Sequence, residues 1–188
     1  MTGELGYSLP PAIRRIARNF RIAGWIGLWV QAVVGALSAI MFFIFLLGEG
    51  NNSAKAGAGL FLTPALVAVC IGVFWSFRYV LFGRKLGNRN PDLRPKPKDA
   101  VRIVRIGLII ALVGQALAIM GGESVIAPLL VKGLSQSGVT VDGQTGQFVA
   151  RRIDAQDILP LFAAINTTFT HFIGLCASLW LQYVVDRP

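Results

Sequence analysis

The sequence predicts an all-α integral membrane protein: a four-transmembrane-helix bundle with both termini on the cytoplasmic side, a basic interfacial helix at the N-terminus and a small outer loop region. Three observations predict it. Of the 188 residues, 54% are hydrophobic and only 14% charged, where a soluble domain carries about a quarter. A chain of this length has no core large enough to hide so much apolar surface. Four apolar runs, at 22–48, 59–83, 103–120 and 158–182, are each long enough to cross the roughly 30 Å hydrocarbon as helix. None alternates with a period of two, which argues against a barrel. Finally, the basic residues are lopsided. Arg14, Arg15, Arg18, Arg21, Arg84, Lys85, Arg89, Arg94, Lys96, Lys98, Arg102, Arg105 and Arg187 flank one set of span ends. Only Lys55, Lys132, Arg151 and Arg152 flank the other. Basic loops stay in the cytoplasm, so both termini belong there. The net charge of +9 is read as this topology signal and not as a nucleic-acid surface.

Residues 1–21 are the basic N-terminus. Ile13, Ile16, Ala17 and Phe20 recur at helical spacing between Arg14, Arg15, Arg18 and Arg21. That pattern suits a short helix lying among anionic headgroups before the chain turns into the bilayer, with membrane lipids as partner. A docking surface for a protein is the other reading. The first span, 22–48, is uncharged and much longer than the apolar core of a cleavable signal, so it is expected to stay as an anchor. No Arg/Ser-rich transit extension is expected before it, because the first helix begins almost at once. Asn51-Asn52-Ser53, in the short first outer loop, is a glycosylation triplet with little weight.

The second span, 59–83, holds one charge. Arg78 lies about one and a half turns from the cytoplasmic end, within snorkelling reach of the headgroups, and Trp75 and Tyr79 suit the same interface. Three prolines between Asn88 and Asp99 exclude a continuous helix there, so 84–102 is expected to be a mobile or extended cytoplasmic linker. The third span, 103–120, is barely long enough. The outer loop, 121–157, opens with Ser124–Ser135, apolar but too short to cross, which suggests an interfacial or re-entrant helix interrupted near Pro128. Val139–Ile153 alternates about Asp142-Gly143 and Gly146 and reads as a small hairpin. The fourth span, 158–182, carries the only histidine of the chain, His171.

Each span bears one stripe of small or polar residues at spacings of three and four, and therefore on one face: Gly24, Gly27, Gln31, Gly35 and Ser38; Ala65, Ala68, Gly72, Ser76 and Gly83; Gly107, Ala111, Gly114, Gln115 and Ala118; Ala163, Thr167, Thr170, His171, Gly174 and Ser178. Small faces let helices associate where lipid supplies no hydrophobic drive. On the fourth span Phe162, Ile165, Phe169, Phe172, Leu179 and Trp180 lie elsewhere and face lipid. Two readings of the interior stand side by side. Gln31, Gln115, Asn166, Thr167, Thr170 and His171 are either glue between helices, at about 0.6 kcal/mol per bond, or a midplane polar site on a transport path. In the second case His171→Ala or Gln31→Ala should lower transport without lowering protein level.

A metal site is hard to build, because hard divalent cations prefer carboxylates beside imidazole and no span contains Asp or Glu. Iron would have to use His171, amides and carbonyls, or sit between subunits. Cys70 and Cys176 lie in separate spans without a CxxC partner and read as small apolar residues. No cofactor is expected and no enzyme signature appears.

Leu9–Gln31 ("LPPAIRRIARNFRIAGWIGLWVQ"), Phe74–Tyr79 ("FWSFRY") and Asn166–Leu181 ("NTTFTHFIGLCASLWL") resemble a four-helix membrane family shared by cyanobacteria and chloroplasts, that of the twenty-one-kilodalton Tic component of the chloroplast inner envelope, also called permease in chloroplasts. The resemblance covers nearly the whole chain. It implies protein import or iron transport as the activity, and it supplies no catalytic residues. Without a transit peptide, this copy looks cyanobacterial, placed in a plasma or thylakoid membrane. Four helices enclose too little space for a protein-conducting pore, so a homo-oligomer or a subunit of a membrane complex is expected. A non-transporting scaffold or assembly factor is the alternative.

Overall fold

A computed structural model describes residues 10–48, 52–88, 90–135 and 155–186. Four helices account for nearly all of them: α1 (Pro11–Leu47), α2 (Asn52–Leu86), α3 (Pro97–Ser135) and α4 (Ala155–Asp186). All are long and apolar enough to cross a membrane, and no strand occurs among the described residues. The hairpin expected over Val139–Ile153 lies outside the described residues, as does Asn51 of the glycosylation triplet.

The helices run 37, 35, 39 and 32 residues. At 1.5 Å per residue they are roughly 48–58 Å long, well beyond the hydrocarbon thickness. Two expectations change as a result. The third helix does not stop near Met120. It continues through Pro128 to Ser135, so Ser124–Ser135 is neither a separate interfacial helix nor re-entrant. Pro128 lies inside α3, as prolines do in membrane helices whose neighbours make up for the lost bond, and Val125 packs into the bundle. The N-terminal segment is also continuous with the first span. Pro11 sits at the first helical position, where its missing N–H costs nothing.

The apolar side of that segment faces protein. Phe20 is fully buried, edge-on to Tyr79 at 6.0 Å and against Phe82 at 5.0 Å. Ala17 is also buried, opposite Gly83, where an added Cβ would come within 2.8 Å of the Ala17 carbonyl oxygen. Helix α2 thus occupies the face that the sequence reading assigned to lipid. Arg14, Arg15, Arg18 and Arg21 are all exposed, with the stem of Arg21 lying over Gly83 of α2.

Residue 88 and residues 90–99 form a compact connection. The Asn90 side chain accepts from the Asp92 backbone N–H at 3.1 Å and opens a 3-10 turn over Pro91–Leu93. Arg94 donates to the Asn88 carbonyl at 2.9 Å. Pro97 then starts α3, and Asp99 accepts from the Lys96 backbone N–H at 3.0 Å, one half of a capping box. The prolines interrupt the helix as expected, but their neighbours' side chains fix the turn.

Neighbours in sequence pack side by side, α4 closes the ring against α1, and α2 and α4 also meet across the diagonal. Two apolar cores result. One, at the basic end, joins Phe20, Tyr79, Phe82, Ile103, Val104 and Leu181 from all four helices. The other, at the far end, joins Phe42, Phe45, Leu62, Val125 and Ala163. There Lys55 caps α1 by donating to the carbonyls of Leu46 and Gly48, and Lys132 pairs with Asp157. Phe162, Ile165, Phe169, Phe172, Leu179 and Trp180 are all exposed, as the lipid-facing assignment requires. Cys70 and Cys176 are free and exposed.

Candidate functional site

Between the two apolar cores lies a polar layer. Gln31, Ser38, Ser76, Thr167, Thr170, His171 and Ser178 are all buried, and they come from the predicted stripes. His171 spans the short diagonal: its Nε2 lies 3.1 Å from the Ala65 carbonyl oxygen of α2. Because a carbonyl only accepts, this geometry places the imidazole hydrogen on Nε2. The ring rests in a socket made by Gly114 of α3, where an added Cβ would overlap it.

The same device recurs. The Gln31 amide lies between Gly72 and Gly174, where added Cβ atoms would come within 3.1 Å of its oxygen and 2.6 Å of its nitrogen. The Tyr79 hydroxyl fills the space over Gly107 and donates to Ser178 Oγ at 3.0 Å, which itself donates to the Gly174 carbonyl at 2.9 Å. Many glycines of the stripes are therefore receptacles for a neighbour's polar side chain. At Gly24 and Gly83 the close neighbour is instead backbone, Gly24 standing against the carbonyl of Ser76 and the N–H of Val80.

Helices α1 and α4 are joined by hydroxyls. Ser38 Oγ lies 2.6 Å from the Ala163 carbonyl and 2.5 Å from Thr167 Oγ1, which is itself 2.8 Å from that carbonyl. Two hydroxyl hydrogens serve these three contacts, one on the carbonyl and one between the hydroxyls. Ser76 reaches the Gln31 amide oxygen at 3.4 Å.

Not every expected member joins. Asn166 is half-buried and donates back to the Phe162 carbonyl of its own helix at 3.0 Å. Thr170 is buried but likewise bonds its own helix, at the Asn166 carbonyl. Gln115 leaves its amide oxygen buried without a hydrogen-bond partner, at a cost of about 1–3 kcal/mol. Gln115→Leu is therefore expected to leave stability unchanged or raise it by about 1 kcal/mol, measured as detergent unfolding. A marked loss would show a partner for that oxygen.

Tyr79 belongs to the layer and not to the membrane interface that its aromatic character suggests. The periodicity that places Ser76 and Gly83 inward also includes position 79, so the signal was present. Its neighbours do sit at the rim: Trp75 is half-buried and donates to the Ile103 carbonyl at 2.9 Å. Arg78 is exposed, its guanidinium 4.8 Å from the centre of the Trp75 ring, a cation–π contact compatible with snorkelling.

At the centre of the layer a cavity of about 20 Å³ is lined by Gln31, Ser76, Tyr79, His171 and Ser178, among others. A site of that size and polarity has room for about one water. Among the described residues no three of His, Cys, Asp and Glu come together.

The fold and this layer define a class: a multi-pass integral membrane protein, a helical bundle braced at mid-depth by polar side chains. The chain belongs to the DUF3611 family of proteins of unknown function, whose model matches residues 10–186. It is also similar to the protein named "Protein TIC 21, chloroplastic" of Arabidopsis thaliana, 28% identical over 180 residues. The match takes in 94% of this chain and 60% of that protein, so the chain spans less than two thirds of its relative's length. No solved structure matches.

Proposed function

We propose that this protein is a membrane subunit of the transport class that works as an oligomer or within a larger complex, both termini in the cytoplasm, with its cargo passing between copies or partners. The observation that carries this reading is the size of the central cavity. Room for about one water admits neither a hydrated iron ion nor a polypeptide, and the surrounding polar groups are largely engaged with one another. Similarity to a chloroplast protein named as TIC 21 supports the class. Iron is the cargo most simply tested. Liposomes carrying the purified protein are expected to take up iron, and folded His171→Ala protein is expected to keep that flux. Loss of flux in a correctly folded variant would place the path through the bundle's own middle. Absence of flux in the unmodified protein would reject iron transport.

One observation favours a second reading, a scaffold for membrane complexes. The exposed arginines at 14, 15, 18 and 21 stand on a segment held rigidly by Phe20 and Ala17, as a docking face would be. Neutralising Arg14, Arg15 and Arg18 should then abolish co-purification of partners and leave the bundle folded.

A further inference from the structure

We propose that a cleft between α3 and α4 at the basic end holds one membrane lipid, with a net-neutral headgroup that offers hydrogen-bond donors as well as acceptors. The cleft measures about 240 Å³, some twelve times the central cavity. Its polar lining is Arg105, Gln182 and Asp186, and its apolar lining includes Val101, Leu108 and Val185.

Its depth follows from the charges. Arg105 is the last charge before an uncharged stretch of α3 running to Gly122, and Asp186 is the first after the apolar stretch of α4 that starts at Ile158. Both therefore mark the level where hydrocarbon gives way to headgroups. Both are exposed, and no ion pair joins them among the described residues.

The polar lining sets the chemistry. A guanidinium donates only, a carboxylate accepts only, and the Gln182 amide does both. A headgroup with acceptors alone would leave Asp186 facing it unpaired. An anionic headgroup would gain at Arg105 and be repelled at Asp186. A headgroup that carries a phosphate beside an ammonium satisfies both, each through a charge-assisted bond, while its first methylenes lie along the valine and leucine wall.

The test uses the full chain in detergent, mixed with phosphatidylethanolamine, phosphatidylcholine or phosphatidic acid and read by native mass spectrometry. Phosphatidylethanolamine is expected to be retained about fivefold over phosphatidylcholine, whose headgroup has no donor. Asp186→Asn should reduce that ratio to about one, and Arg105→Gln should reduce retention of both. Equal retention of the two by the unmodified protein, retention led by phosphatidic acid, or discrimination that survives Asp186→Asn would each overturn the proposal. Both side chains are exposed, and unchanged helicity and melting of the two variants confirm that the cleft alone was altered.

Discussion

Gly114→Ala is expected to destabilise the bundle by about 2–4 kcal/mol, although it adds a single methyl group. The added carbon would occupy space held by the His171 ring, and the ring has no free direction, being 3% exposed and bonded to Ala65. Overpacking costs about 1–3 kcal/mol, and loss of the Ala65 bond adds roughly 0.6 kcal/mol. A double-mutant cycle separates this cause from a general intolerance of alanine. In a His171→Ala background the same glycine change should cost at least 1 kcal/mol less, since contacting residues couple on that scale. Additive losses in detergent unfolding would show that the glycine and the histidine act independently.

Gly24→Val is expected to be worse still. At Gly114 the obstacle is a side chain that can be removed, but at Gly24 it is the backbone of α2: an added Cβ would stand 2.8 Å from the Ser76 carbonyl oxygen and 2.9 Å from the Val80 nitrogen. Backbone in mid-helix moves only with its helix, so α1 and α2 must part. The crossing lies between Phe20 and Gly27, so separation there also loosens the contacts of Phe20 with Tyr79 and Phe82. Protease should then cut near Arg18 and Arg21 at least tenfold faster than in the unmodified protein. Intact protection would show that the basic segment is held by something other than this crossing.

The stripes were legible in the sequence because small and polar residues cannot profitably face lipid, and a spacing of three and four leaves them one other direction. Gly24, Gln31, Ser38, Thr167 and His171 are all buried as that argument demands. What periodicity does not encode is which helix a side chain meets. Gly114 was legible as inward-facing, but its role as the seat of the His171 ring depends on how far α3 and α4 slide past each other. Similarly, the arginine-flanked apolar pattern over Ile13–Phe20 suits a headgroup layer or the end of α2 equally well, and only the height of Gly83 on α2 decides between them. The length of α3 is not legible in the same way, because the apolar run ends at Met120 while the helix runs on through Pro128 to Ser135.

The polar layer also bears on how the protein is made. Of the four spans α4 is the least hydropathic and the most enclosed, since it carries Thr167, Thr170 and His171 into the layer. It is also the last to be synthesised. On its own it would bring unpaired hydroxyls and an imidazole into lipid, where insertion is poor. By then α1, α2 and α3 can already offer Ser38, Ala65 and Gly114 as partners. The final helix would therefore enter the membrane as a guest of the first three, and its commitment to the bilayer would double as a check that they have assembled.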